Sequence, residues 1–176
     1  MGRSHYEQSV GRFGSALFLV LAPGIVAGLV PWWISKWQVQ APLLGFPPIR
    51  ALEVLAVVVS ILVLLESFAR FALQGVGTPA PLLATRHLVV KGLYRYVRNP
   101  MYLAVVSAIL GESMILGSLS LLAYGAFIWL IFYIFVLAYE EPTLRRTFGA
   151  EYDAFCANVP RWVPRFSPWS GSTKRR

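Results

Sequence analysis

The apolar run that decides the fold is MYLAVVSAILGESMILGSLSLLAYGAFIWLIFYIFVLAY, residues 101–139. A membrane-spanning helix needs only about 20 apolar residues, because each adds about 1.5 Å toward a hydrocarbon thickness of about 30 Å. This run is about twice that long, so it predicts two spanning helices rather than one. We place their junction at residues 111–118, where Gly and Ser interrupt the large side chains, and expect an antiparallel hairpin.

Two further apolar blocks precede the hairpin. Residues 51–73 contain AVVVSILVLL and predict the clearest span, and residues 15–34 predict another. Pro23 and Gly24 predict a kink in the first block, which a membrane helix tolerates when neighbours satisfy the freed carbonyl. A secretory signal peptide is the alternative, but this block is longer than a signal's apolar core, and the tryptophans within residues 32–37 resemble an interfacial belt. We therefore expect four membrane-spanning helices.

The composition agrees with a membrane protein. The chain is 57% hydrophobic and 14% charged, which leaves too little polar surface to coat a soluble globule. Its net charge of +8 comes from cations between and after the apolar blocks, where membrane topology explains them better than a nucleic-acid partner does. The single cysteine, Cys156, excludes an internal disulfide, and with only two histidines we predict no metal site. We expect one all-α integral membrane domain over residues 1–176.

The distribution of cations predicts the orientation in the membrane. If the N-terminus is cytoplasmic, fourteen of the sixteen Lys and Arg residues face the cytoplasm, and only Lys36 and Arg50 fall outside. Cytoplasmic loops carry such an excess of cations, so we expect both termini in the cytoplasm. We expect the plasma (inner) membrane of a bacterial type of cell, with the site on its cytoplasmic face. Residues 74–100 and 140–176 then share that face.

These two cytoplasmic segments have different patterns. Residues 74–100 form a long basic loop rich in Gly and Pro; loops this long are functional or disordered, and the tyrosines argue against disorder. The tail spaces apolar residues by four, four and three between charged ones, at Leu144, Phe148, Tyr152 and Phe155. This spacing predicts an amphipathic helix at the membrane interface. VPRWVPRFSPW, residues 159–169, is predicted to be non-helical and interfacial.

A pair of carboxylates, Glu140 and Glu141, ends the hairpin. Carboxylates are unfavourable at a helix C-terminus, because the last carbonyls already carry partial negative charge. A positive group is therefore expected nearby. It is either a salt bridge to Arg98, Arg145 or Arg146, or a ligand that bears hydroxyls or a positive charge.

Glu66 and Arg70 are four residues apart, on one face near the predicted cytoplasmic end of the second helix. Charged residues inside a span are functional candidates. The interpretation that we favour is a structural ion pair that reaches the interface. Their role stays open at this stage.

A family pattern runs through LVVKGLYRYVRNPMY, residues 88–102, and EEPTLRRTFGAEYDAFCANVPRWVP, residues 140–164. The two segments resemble the membrane methyltransferases that include isoprenylcysteine carboxyl methyltransferase and the phospholipid methyltransferases. That pattern is Leu-Val, Gly-x-Tyr, Arg-His-Pro-x-Tyr, a Glu pair and Phe-Gly-x-x-Tyr. The resemblance covers residues 75–164, and the first two helices contribute almost nothing to it.

The resemblance implies S-adenosylmethionine at the cytoplasmic ends of the last helices, and a lipophilic acceptor that enters from the bilayer. The implied cofactor contacts are Leu88, Val89, Tyr94, Asn99, Pro100, Tyr102, Glu140 and Glu141. Gly75 and Gly77 resemble the Gly-x-Gly of the phospholipid enzymes, and two glycines before a proline are equally typical of a turn. The parts of the methyltransferase domain would be transmembrane helices in 1–73, a cofactor loop in 74–100, the hairpin in 101–139 and a cytoplasmic helix and tail in 140–176.

Two positions depart from the family pattern. Asn99 replaces the usual histidine, and an amide cannot titrate near neutral pH, so we assign it no proton transfer. Val136 stands where the isoprenylcysteine enzyme has an arginine that helps hold its substrate, which disfavours isoprenylcysteine as the acceptor. We take Arg98 as the candidate catalytic residue, orienting the acceptor, with a simple topology-setting cation as the alternative.

The predicted activity is S-adenosylmethionine-dependent methyl transfer to a lipophilic carboxylate, amine, thiol or hydroxyl. A sulfonium is already an activated donor, so the protein needs mainly to align the reactants and exclude water. The alternative is a non-enzymatic four-helix membrane protein, either a small transporter or a scaffold. A transporter is expected to show internal repeats, and the sequence has none. The oligomeric state is left open.

Overall fold

This computed structural model describes residues 21–40, 49–74, 88 and 90–171, and within those ranges every regular element is helical. The α-helices there are α1 (Leu21–Ser35), α2 (Ile49–Gln74), α3 (Pro100–Leu116), α4 (Leu119–Phe148) and α5 (Ala150–Asn158). The predicted all-α class is confirmed for this part of the chain. The first six residues of the predicted first helix, 15–20, lie outside the described residues.

In the part of the chain that the structure describes, α4 is the one helix long and apolar enough to cross a bilayer; α1 and α3 are apolar but shorter. The outward side of α4 carries Phe127, Leu130 and Ile134, each more than half exposed. Apolar side chains exposed in such a row suit a lipid environment. The four spans and the two cytoplasmic termini stay predictions.

The α3–α4 hairpin turns at Gly117 and Ser118. Gly117 has φ of 68°, a left-handed conformation that glycine adopts without steric cost and that commonly ends a helix. The Ser118 side chain then accepts a hydrogen bond from the backbone N–H of Leu121 and caps α4. The turn lies at the end of the predicted junction and is shorter than predicted.

The core lies between α2, α3 and α4, where Leu64, Val105, Ile109 and Ile128 are buried. α2 and α3 lie close together at Gly111. A Cβ atom built on Gly111 would lie 2.5 Å from Cγ2 of Val57, closer than two carbon atoms can pack. The missing side chain therefore lets α2 and α3 approach each other.

The predicted irregularity of α1 is present, but it begins just after Pro23 and Gly24. Residues Ile25–Leu29 form a π-helical turn, and Pro31, which follows it, has no N–H to donate to a carbonyl one turn earlier. The Tyr124 hydroxyl donates to the carbonyl oxygen of Val26 at 2.9 Å. A side chain of α4 therefore hydrogen-bonds a backbone carbonyl group in the irregular turn of α1.

The predicted amphipathic helix is two helices in the structure. α4 continues past residue 139 through a π-helical turn, Val136–Glu140, and ends at Phe148. Gly149 follows with a φ of 51° and separates α4 from α5. The apolar stripe forms a cluster in which Tyr152, Phe155 and Val159 are buried, and Leu88, Val90, Leu144, Phe148, Cys156 and Trp169 pack around them. The protein itself covers the apolar face of this stripe, and the predicted position at the membrane interface stays a prediction.

We expect Gly111→Ala to destabilise the fold by about 1–3 kcal/mol, the usual cost of inserting a methyl into a packed contact. The branched side chain of Val57 is stiff and cannot rotate freely out of the way. Thermal unfolding in detergent measures the loss, and adding Val57→Ala should restore much of it. Gly24→Ala is the control, because nothing lies within 4 Å of its new methyl. Equal effects of Gly111→Ala and Gly24→Ala would contradict the close contact.

Candidate active site

The candidate site lies where three segments meet: the loop before α3 (residues 90–99), the end of α4, and the segment after α5 (residues 159–171), which we call the tail. A short 3₁₀ turn, Gly92–Arg95, turns the loop toward the bundle, and Gly92 adopts a positive φ of 55° that favours glycine. Asn99 then precedes α3 in a non-helical conformation, and Pro100 occupies the first turn of the helix, where its missing N–H costs nothing.

Backbone hydrogen bonds join the loop to the tail. The N–H of Arg98 donates to the carbonyl of Pro160 at 2.9 Å, the N–H of Arg165 donates to Tyr96 at 3.0 Å, and the N–H of Trp169 donates to Arg95 at 3.0 Å. The two segments thus satisfy each other's backbone groups. The tail is fixed although it is not helical.

Glu141 is the centre of the ionic contacts at this junction. Its Oε1 accepts from Nη1 of Arg98 at 3.0 Å, while Arg161 donates from Nε at 2.5 Å and from Nη2 to Oε2 at 2.8 Å. The side chains of Glu141 and Arg98 are only 9% and 12% exposed. The hydrogen bond to Glu141 raises the pKa of the Arg161 guanidinium above its ordinary value. One carboxylate therefore ties α4 to both the loop and the tail.

Of the partners predicted for the carboxylate pair, Arg98 is found on Glu141, whereas Arg145 pairs with Asp153 at 2.8 Å on the exposed surface. Arg161 was missed by sequence reasoning. Its position in a proline-rich, non-helical segment gives no periodic signal that would direct it to Glu141. The signal that could have found it is the family segment itself, which extends to residue 164.

Asn99 and Cys156 complete this junction. The Asn99 amide is buried and donates from Nδ2 to the carbonyl of Arg161 at 3.2 Å, so it also holds the tail. Nη1 of Arg98 contacts Sγ of Cys156 at 2.9 Å, and Nε of Arg98 is buried with no partner among the described residues. Arg98 is therefore held on one edge of its guanidinium.

Glu140 points to a different side of α4 from Glu141, because neighbouring residues of a helix lie about 100° apart around its axis. Its Oε2 accepts from the Tyr102 hydroxyl at 2.8 Å, and the Tyr102 ring packs on Phe132 with centroids 4.7 Å apart. Glu140 closes the π-helical turn of α4. Such turns are frequent at functional sites.

Tyr94, in the loop, lies near enough to Glu140 for the two side chains to interact electrostatically. Burial raises the pKa of the Tyr94 phenol above its ordinary value, and the nearby carboxylates of Glu140 and Glu66 raise it further, so the hydroxyl stays protonated at neutral pH. The field of Glu66 thus reaches the site from α2. The predicted Glu66–Arg70 pair lies outside the described residues, because the side chain of Arg70 does.

The remaining predicted cofactor contacts either pack elsewhere or lie outside the described residues. Leu88 packs against the cluster around Tyr152 and Phe155, beside the tail. Val89, Gly75 and Gly77 lie outside the described residues. The structure therefore brings together Tyr94, Tyr102 and Glu140 as one group, and Arg98, Asn99 and Glu141 as another.

The fold and the site define a helical protein with an apolar hairpin and a polar site, rich in carboxylates and tyrosines, at the hairpin's open end. The sequence profile of the phospholipid methyltransferase family matches residues 49–151, more than half of the chain, and the chain belongs to that family.

Two curated relatives match over 78 residues, or 44% of this chain. Protein-S-isoprenylcysteine O-methyltransferase of Schizosaccharomyces pombe is 35% identical, and the match covers 33% of that protein. Protein-S-isoprenylcysteine O-methyltransferase B of Arabidopsis thaliana is 31% identical, with 39% covered. The match thus spans about a third of the first relative's length and about two fifths of the second's.

We expect Glu141→Gln to destabilise the protein by on the order of 3 kcal/mol, because it leaves the buried guanidinium of Arg98 without a counter-charge. Thermal unfolding in detergent measures the loss, and hydrogen exchange should increase in residues 159–169. Asp153→Asn is the matched control. It breaks an ion pair whose side chains are 55% and 56% exposed, so its unfolding temperature should barely change. Similar losses of stability in both variants would show that the buried ion pairs of Glu141 contribute no more than an exposed ion pair does.

Proposed function

We propose that this protein transfers a methyl group from S-adenosylmethionine to a lipophilic acceptor that enters from the bilayer, on the cytoplasmic face of the membrane. The observation that carries the proposal is the hydrogen-bonded pair Tyr102–Glu140, with Tyr94 beside it, at the open end of the α3–α4 hairpin. All three residues lie within the segment that matches the phospholipid methyltransferase family.

The residues of this group fit the proposed cofactor chemically. S-adenosylmethionine supplies a methyl group on a positively charged sulfur and carries ribose hydroxyls that need acceptors. The Glu140 carboxylate accepts hydrogen bonds and favours nearby positive charge. The protonated Tyr94 phenol can donate and accept. Two phenols and one carboxylate thus offer both hydrogen-bond donors and hydrogen-bond acceptors in one place.

The protein's own contribution would be orientation and exclusion of water. The ring of Phe132 covers Tyr102, and the tail is fixed over the loop by Glu141 and Arg161. Such cover strengthens polar contacts beneath it. We assign Arg98 to the acceptor, because one edge of its guanidinium is held by Glu141 and its buried Nε has no partner among the described residues.

The acceptor is proposed as a class: a lipophilic carboxylate, amine, thiol or hydroxyl. The relatives are named for isoprenylcysteine, but Val136, where that family of enzymes places a substrate-holding arginine, is only 1% exposed here. A packed valine cannot pair with an acceptor carboxylate. Isoprenylcysteine is therefore not the acceptor that we favour.

We expect Glu140→Gln and Tyr102→Phe each to raise the dissociation constant for S-adenosylhomocysteine at least about tenfold, since a hydrogen bond to a charged group contributes about 1.5–3 kcal/mol. Calorimetric titration of the detergent-purified protein measures this. Tyr139→Phe is the control, because Tyr139 is 42% exposed and is not part of the group.

Two results would count against the proposal in different ways. Unchanged binding by both site variants would move the cofactor site elsewhere. No binding by the folded parent protein would favour the non-enzymatic membrane protein instead.

A further inference from the structure

The tail does not stay at the level of the carboxylates but runs back along α4. The Trp162 ring lies 4.6 Å from the ring of Trp129 and 6.3 Å from that of Tyr133, between ring centroids. Tyr133 and Trp129 precede Glu140 by seven and eleven residues on the same helix. At about 1.5 Å per residue, Trp162 therefore lies about 10–16 Å from Glu140 along the axis, toward the middle of α4.

That depth matters because α4 is the apolar helix long enough to cross a bilayer. The residues of α4 beside this contact are apolar and open to the outside, with Leu130 52% and Ile134 55% exposed. Trp162 packs against the same stretch of helix. Trp162 therefore extends the exposed apolar surface of α4, which suits a lipid environment, onto the tail.

Two apolar side chains near Trp162 project away from the protein. Val163 is 73% exposed, and Phe166 is fully exposed. Their backbone is fixed: the N–H of Arg165 is bonded to Tyr96, and Nη1 of Arg165 donates to the carbonyl of Asn158 at 2.8 Å. A phenylalanine held outward in this way is presented to a partner, because a flexible segment would fold it onto nearby apolar surface.

We propose that Val163 and Phe166 insert into the acyl chains of the cytoplasmic leaflet, so that the tail makes a second membrane contact beside α4. The continuity with the apolar side of α4 selects lipid as the occupant. The charges near this segment agree with a lipid partner. Arg95 of the loop and Arg165 of the tail lie beside it, and cations at a membrane surface bind lipid phosphates. The inference goes beyond the proposed function and needs no cofactor.

Site-specific photo-cross-linking in lipid nanodiscs tests it. Phe166→p-benzoylphenylalanine keeps an aromatic ring at the tip, and Glu151→p-benzoylphenylalanine is the control at an exposed position on α5. We use phosphatidylcholine with one quarter phosphatidylglycerol, and read adducts by mass spectrometry. We expect acyl-chain adducts at 166 and none at 151. Cross-links from 166 to a second copy of the chain, or no lipid adduct there, would overturn the proposal.

A second measurement keeps the test decisive if the photo-reactive variant does not fold. Phe166→Cys and Glu151→Cys, each in a Cys156→Ser background, carry a nitroxide spin label in the same nanodiscs. Insertion predicts that the label at 166 collides several times more often with oxygen, and less often with a soluble nickel chelate, than the label at 151. Equal accessibility to the chelate at both positions would overturn the insertion.

Discussion

The junction of loop, helix and tail depends on one buried carboxylate. Glu141 faces two guanidiniums at 2.5–3.0 Å, and taking the charges of Glu141 and Arg98 out of water is costly unless each is well paired. The bidentate geometry of Arg161 and the approach of Arg98 from the other segment meet that condition. Because both partners are distant in sequence, the charge requirement itself determines where the loop and tail lie. Loss of Glu141 would leave the buried guanidinium of Arg98 without a counter-charge and would favour an open junction.

The second constraint is the separation of two neighbouring acids. Glu140 and Glu141 are adjacent in sequence, but the helix turns them to different sides, so Tyr102 bonds to one and the arginines to the other. Glu141 therefore joins the loop to the segment after α5, while Glu140 lies with Tyr94 and Tyr102. The two neighbouring acids therefore have different partners, tyrosine for Glu140 and arginine for Glu141.

The path of the tail connects the ionic junction at Glu141 to the apolar surface of α4. Arg161 and Trp162 are neighbours in sequence, and one binds Glu141 while the other packs on Trp129 and Tyr133. The same short segment thus contacts both the buried carboxylate and the apolar rings of α4. The lipophilic acceptor that we propose would pass close to this segment if it entered along α4.

Much of the fold follows from the sequence, because apolar length and helix-end signals act locally. The run of residues 101–139 determines the hairpin, Pro100 its beginning and Gly117 its turn. The fixed spacings around Tyr94, Tyr102 and Glu140 identify the family, and the resemblance implies which residues form the site. These features need no knowledge of distant contacts, since a helix satisfies its backbone within itself.

Tertiary structure alone decided how the site is closed. Arg161 lies in a segment with no periodicity, and its partner is twenty residues away, so only the folded chain shows that it binds Glu141. Likewise, the stripe of Leu144, Tyr152 and Phe155 looks suited to a membrane surface, and its burial depends on loop residues far away in sequence. Sequence pattern determined which faces are apolar and which residues are charged. Which surface each of them meets is a property of non-local packing, and only the assembled structure can determine it.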